Sequence, residues 1–202
     1  MEETSGTSGR VRGRVRSADG TPIAYERRGE GTPVIVVGGA SGTADTERAL
    51  ADLLAPRHAV VTYERRGRGV EREEIDDLAA LLREVGGRAF VHGIASGGEL
   101  ALAAVAAGLP VERLSVFEPP FPAEAGSEGG SETGSEAAAR LGRVHARVLV
   151  VDGGASPAPT RRAAMGLSAA LPRARHRTLT GQTHEVAPHV LAPVLEDFYE
   201  EE

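Results

Sequence analysis

The sequence predicts a doubly wound, mostly parallel α/β sheet with helices on both faces and an antiparallel hairpin at its start. Continuous apolar runs rich in β-branched residues recur along the chain, and helical stretches separate them. Runs of that kind mark strands buried on both faces, and strand–helix alternation is the pattern of a parallel sheet. The first two strands differ, being alternating segments joined by a turn.

Those two lie near 10–17 and 21–28, with "ADGT" between them as the hairpin turn. "PVIVVGG" (33–39) is the first buried run and ends in glycines. "HAVVTY" (58–63), "RAFVHG" (88–93), "RLSVFE" (113–118), "ARVLVVDGG" (146–154) and "ARHRTL" (174–179) follow. Helical periodicity falls near 43–55, 70–86, 97–108, 158–171 and 187–200. No internal repeat interrupts the series.

A chain of 202 residues suits one domain, here 10–202, behind a flexible tail at 1–9. Aromatic residues are only 3% and Trp is absent, so the core must come from Ala, Val and Leu, with thin helices lying close on the sheet. There is no Cys, which excludes disulfides and thiolate metal sites. No apolar run is long enough to span a bilayer, and "MEETSGTSGR" lacks the apolar core of a signal peptide. A cytoplasmic protein with no membrane partner is the expectation, monomeric by default. The net charge of −6 argues against a nucleic-acid partner. "RVRGRVR" places Arg10, Arg12, Arg14 and Arg16 on one face of a strand, where charge discourages edge pairing.

One segment breaks the pattern. "GSEGGSETGSE" (126–136) holds only Gly, Ser, Glu and Thr and cannot bury apolar area, so 124–137 reads as a flexible linker. With the opening tail, it gives the chain the look of a minimised or engineered sequence.

The chemistry centres on "VHGIASGGELALAAVAAGLP" (91–110), a strand, a Gly-flanked turn and an Ala/Leu helix. Hydrolases place a nucleophile at such a turn in the pattern G-x-S-x-G, the central residue strained between strand and helix. Gly93 and Gly97 fix the register, so the tip is Ala95 and the serine falls one place later, at Ser96. A methyl group cannot attack a carbonyl. Ser96 begins the helix, so its hydroxyl is expected to point away from the tip and to cap the helix, while its N–H would serve an oxyanion. A second oxyanion donor would come from the loop after "PVIVVGG", the N–H of Ala40.

"GQTHEVAP" (181–188) places His184 in a loop after the last strand, where loops at the strands' C-terminal ends converge. His58, His92, His145, His176 and His189 have weaker claims as a base, and no spacing suggests a metal. Two strand ends offer an acid to orient the base. Glu118 closes "LSVFE", and Asp152 lies in "VVDGGASP", where the later place usual for an acid is Ser156. Glu118 is favoured and Asp152 is the alternative.

In this order, "SADGTPIAYERRGEGTPVIVVGGA", "YERRGRG", "HGIASGGELALAA", "FEPPF", "VLVVDGGASP" and "GQTHEV" resemble the α/β-hydrolase superfamily, in particular bacterial esterase-like small-molecule hydrolases. The resemblance implies an eight-stranded sheet, a nucleophile at position 95, His184 as base, oxyanion donors at Ala40 and Ser96, and no cofactor. It also implies a structural role for Arg66, since "ERRGRG" is similar to the family's D-x-R-G-x-G loop with Glu64 in first place. A carboxylate after the strand that follows the elbow helix is the acid in some members, which supports Glu118. The departures are Ala95 at the nucleophile position, the linker where a cap domain usually stands, and a loop after "RGRG" that runs straight into "VEREEIDDL" and is shorter than the family leads one to expect. Three readings follow: a serine-esterase relative acting on small-molecule esters but impaired at Ala95, a cofactor-free enzyme using the His–acid pair alone, and a non-catalytic or designed scaffold.

Overall fold

The computed structural model describes residues 9–39, 44–67, 72–121 and 139–201. The 124–137 linker and most of the N-terminal tail lie outside these residues. The strands are β1 (Val11–Arg16), β2 (Pro22–Arg28), β3 (Thr32–Val37), β4 (His58–Tyr63), β5 (Ala89–Ile94), β6 (Val111–Phe117), β7 (Arg147–Gly153) and β8 (Ala174–Leu179). The helices are α1 (Ala44–Leu54), α2 (Arg72–Glu84), α3 (Ser96–Ala106), α4 (Ala158–Ala170) and α5 (Pro188–Glu200). Residues 139–141, ahead of β7, are helical.

All eight strands join one sheet in the order β1-β2-β4-β3-β5-β6-β7-β8. β1 pairs with β2, and β2 with β4, antiparallel; every other pairing is parallel. The sequence's expectation of a hairpin followed by a doubly wound parallel sheet is met. β6 starts two residues earlier than its apolar run suggests, because Val111 is buried and pairs with Ala89.

Alternation along the strands sends side chains to two cores. Val34, Val36 and Val60 face α1 and α5, among Leu50, Leu54, Leu191 and Leu195. Ile35, Val37, Val61, Val91 and Val150 face α2, α3 and α4, among Leu78, Leu81, Leu100 and Leu167. Each fully buried Leu or Val contributes about 1.5–3 kcal/mol of hydrophobic stabilisation before entropy is counted. With so few aromatics, small residues set the spacing of the layers. Ala101 and Ala104 of α3 are fully buried, and a Cβ on Gly97 would overlap the Val37 carbonyl oxygen. α3 therefore lies unusually close to β3, and that closeness fixes the turn that precedes it.

Candidate functional site

The C-terminal ends of β3, β5, β6 and β7 converge on one end of the sheet. β5 gives way to α3 through Ala95, whose backbone takes φ 48°, ψ −121°. That conformation suits glycine, and an L-residue holds it only when its surroundings enforce it. Here the Ala95 N–H donates to the Phe117 carbonyl at 2.9 Å, and its own carbonyl accepts the Gly98 N–H at 2.9 Å. Gly97 allows the close helix approach, and Gly39 lies so near that a Cβ on it would sit 3.2 Å from the Ala95 Cβ. Ala95 thus occupies the tip of the strand–helix turn, at the N-cap of α3 and with no side-chain cap. Ser96 is the first residue inside the helix and does not cap it, and its hydroxyl accepts from Arg65 at 3.2 Å.

Glu118 follows β6 with φ 44°, and among the described residues only it and Ala95 are non-glycines with positive φ. Its N–H donates to the Val151 carbonyl at 3.0 Å. One carboxylate oxygen accepts the Gly153 N–H at 2.8 Å, and the other lies 2.8 Å from His184 Nδ1. The Glu118 side chain is fully buried, whereas His184 is half exposed. A carboxylate only accepts hydrogen bonds, so Nδ1 carries the proton and Nε2 is left as a basic lone pair. Phe117 ties the pieces together. Its carbonyl holds Ala95, and its ring centroid lies 6.4 Å from that of His184.

Asp152 is brought to a different neighbour. It alternates with Val150 onto the α4 face, is 1% exposed, and lies 3.4 Å from His176 Nε2. Ser156 is buried in the turn after β7, its N–H bonded to the Gly153 carbonyl. Ala40 lies outside the described residues. His92 is fully buried with Nδ1 2.9 Å from the Ser115 hydroxyl, itself 2.8 Å from the Tyr199 hydroxyl; burial pushes its pKa down to about 3. His58 is also buried, which lowers its pKa, and His189 lies exposed on α5. Among the described residues no cluster of three His, Asp or Glu could hold a metal ion.

Two residues beside the turn, Arg65 and Glu47, escape sequence reasoning. Arg65 forms a buried ion pair with Glu74 of α2 at 2.9 Å, and also donates to the Gly38 carbonyl at 2.8 Å. It ties the end of β3 and the start of α3 to α2. Its neighbour Arg66 pairs with Asp77, three residues along the same helix, and with Asp19 of the first hairpin. Glu47 of α1 packs over Gly38, where any Cβ would overlap its carboxyl group. Burial raises the Glu47 carboxyl to about 7 against the opposing charge of Arg65. For Arg66 the structural role implied by the D-x-R-G-x-G-like loop agrees with these ion pairs, whereas for Arg65 the one sequence signal is the spacing of Glu74 and Asp77 on one face of α2.

No protein-family model matches the sequence, and no curated protein does. Solved structures do. An alpha/beta hydrolase from Sphaerobacter thermophilus is 37% identical, with a TM-score of 0.79 over 93% of this chain and 100% of that one. An esterase from Rhodococcus sp. ECU1013 is 17% identical, with a TM-score of 0.74 over 93% and 98% of the two chains. A bromoperoxidase from Bacillus anthracis is 15% identical, with a TM-score of 0.74 over 95% and 100%. The last two are similar in fold alone.

Proposed function

Because the chain belongs to the α/β-hydrolase superfamily, we propose that its site recognises small carboxylic esters and that serine-type acyl transfer is silenced at Ala95. The observation that carries this reading is that, among the described residues, the two non-glycines with positive φ are the turn residue Ala95 and the carboxylate Glu118. Backbone strain of this kind costs of order 1–3 kcal/mol per residue and persists where surroundings enforce it, often at functional sites. An alanine gains nothing chemically from such a conformation. A serine at the same tip would be displayed above the sheet.

With a hydroxyl at position 95, His184 Nε2 would take its proton during attack on the ester carbonyl. Glu118 would keep the imidazole in the required tautomer and stabilise the imidazolium. The Ser96 N–H, at the positive end of α3, would face the developing oxyanion, with Ala40 as second donor. His184 would then protonate the leaving alkoxide, and water would resolve the acyl-enzyme by the same route reversed. Without the hydroxyl, binding and oxyanion stabilisation leave about 10³–10⁴-fold acceleration over water.

The second reading is proton abstraction by the His184–Glu118 pair alone. It is favoured by one observation, that the 2.8 Å contact between them makes no use of position 95. Loss of such activity in His184→Ala, with no dependence on residue 95, would select it.

The deciding experiment is fluorophosphonate labelling read by intact mass, on this chain and on Ala95→Ser together. An adduct on the Ala95→Ser protein alone is the expected result. An adduct on this chain at Ser96, or none on either folded protein, overturns the proposal.

A further inference from the structure

Glu47 is a half-buried titratable group beside the elbow that the ester mechanism leaves unused. It sits in the first turn of α1, the helix that follows position 40 in the chain. Its carboxyl presses on the backbone leading to that position. A Cβ at Gly38 would lie 1.8 Å from Glu47 Oε1, and one at Gly39 would lie 3.2 Å from the Ala95 Cβ. Consecutive Cα atoms are about 3.8 Å apart, so on the order of 8 Å separates the carboxyl from the tip of the turn.

Gly38 has little room to yield. Its carbonyl accepts from an Arg65 nitrogen at 2.8 Å, and the same nitrogen donates to the Ser96 hydroxyl at 3.2 Å. On its far side, the Gly38 carbonyl oxygen would stand 2.6 Å from a Cβ on Gly97. Glu47, Arg65 and α3 therefore clamp the same peptide. The outer side of Glu47 lines a cavity of about 510 Å³, together with Arg12, Arg14, Glu26, Arg48 and Glu64, and this gives the carboxyl a path for proton exchange. Arg12 is paired with Glu26, and Arg14 and Glu64 are exposed. Glu74 holds Arg65 from α2, and burial keeps the nearby Tyr63 hydroxyl neutral. Of these charges, Arg65 is the one that bears on Glu47.

We propose, on the ester reading of the site, that Glu47 is a positioning residue for the oxyanion turn, which works when Glu47 is a neutral acid and is opposed when Glu47 ionises. As an acid, Glu47 adds no charge beside Gly38 and leaves Arg65 on Gly38, Ser96 and Glu74. As a carboxylate, it competes for Arg65 and sets a negative charge near the place where the oxyanion develops, an unfavourable pairing in a partly desolvated site. Burial holds this carboxyl at about 7. The pH profile therefore has two limbs. Rate rises with pH as His184 becomes neutral and able to accept a proton, and falls as Glu47 loses its own.

Two measurements test this. In the parent chain, the Gly38, Gly39 and Ser96 amide resonances should titrate with a midpoint near 7, and Glu47→Gln should abolish that step. On the Ala95→Ser background, the rate of fluorophosphonate labelling should fall about 3–10-fold from its maximum as pH rises to 9. Glu47→Gln on that background should hold the rate level, whereas a merely structural role would change it alike at every pH. Glu64→Gln, which removes an exposed charge from the same cavity, should leave the falling limb in place. Amides that titrate through Glu47 in a chain whose Ala95→Ser variant does not label would sink the ester reading and uphold the coupling of Glu47 to the turn. Identical pH profiles with and without Glu47→Gln, or amides that titrate identically in both, overturn the proposal and leave the ester reading intact.

Discussion

At position 95, two demands conflict. The turn requires φ 48° and ψ −121°, which glycine adopts freely, yet the residue present has a Cβ. Strain there outweighs the extra entropy that glycine loses on folding. Ala95→Gly should therefore stabilise the protein by about 1 kcal/mol, seen as a raised urea midpoint with an unchanged slope. A lowered midpoint would show that packing of the methyl group against the Gly39 backbone matters more than the dihedral cost. Glu118 raises the matching question of legibility. From the sequence, Glu118 and Asp152 are both carboxylates at strand ends, and nothing local separates them. Separation comes from three dimensions: alternation turns Asp152 to the α4 face, while Glu118 reaches both the Gly153 N–H and His184 Nδ1. The linker and Ala40 lie outside the described residues, so those expectations stand as the sequence states them.

Among elements, α2 does more than cover the sheet. Glu74 and Asp77, both buried on one face, receive Arg65 and Arg66 from the loop after β4. Arg65 in turn reaches Gly38 and Ser96, so the helix fixes the relative placement of β3 and α3 through one side chain. Arg65→Ala should destabilise the fold by roughly 3–5 kcal/mol, because Glu74 would be left as a buried charge without its partner. Combined with Ala95→Ser it should also slow fluorophosphonate labelling, whereas Arg65→Lys should restore only part of the stability. A full recovery with lysine would mean that the forked contact with Glu74 carries little. This coupling was hidden in the sequence because it joins residues 38, 65, 74 and 96. The strands were legible for the opposite reason: the central ones are local runs of β-branched residues buried on both faces, and the polar β1 and β2 show period-two alternation around a turn. β6 extends two residues ahead of its apolar run, since Glu112 interrupts hydrophobicity without ending the strand.

For the whole molecule, buried titratable groups of opposite sense shape stability against pH. His92 titrates at about 3 in the fold because burial opposes its charged form. Below its unfolded value near 6.5 the unfolded chain takes up a proton that the fold refuses, so stability is lost as pH falls. Glu47 does the reverse. Its folded value of about 7 lies above the unfolded one, so the fold takes up the proton first and gains stability as pH falls from about 7 to about 4.5. The two partly cancel in the parent chain. Glu47→Gln removes the compensation, and its stability should fall more steeply than the parent's between pH 6.5 and 4.5, measured by urea unfolding at a series of pH values. Parallel profiles would show that Glu47 does not hold a proton in the fold.

The hydrogen bond between Glu118 and His184 also has a meaning in time. Its two ends stand 66 residues apart, and the histidine follows β8, which joins the sheet only by pairing with β7. During synthesis, an emerging chain can lay down the hairpin, the elbow turn and the carboxylate while the imidazole is still inside the ribosome. Whatever chemistry the site performs is therefore switched on last, when the final edge of the sheet has docked.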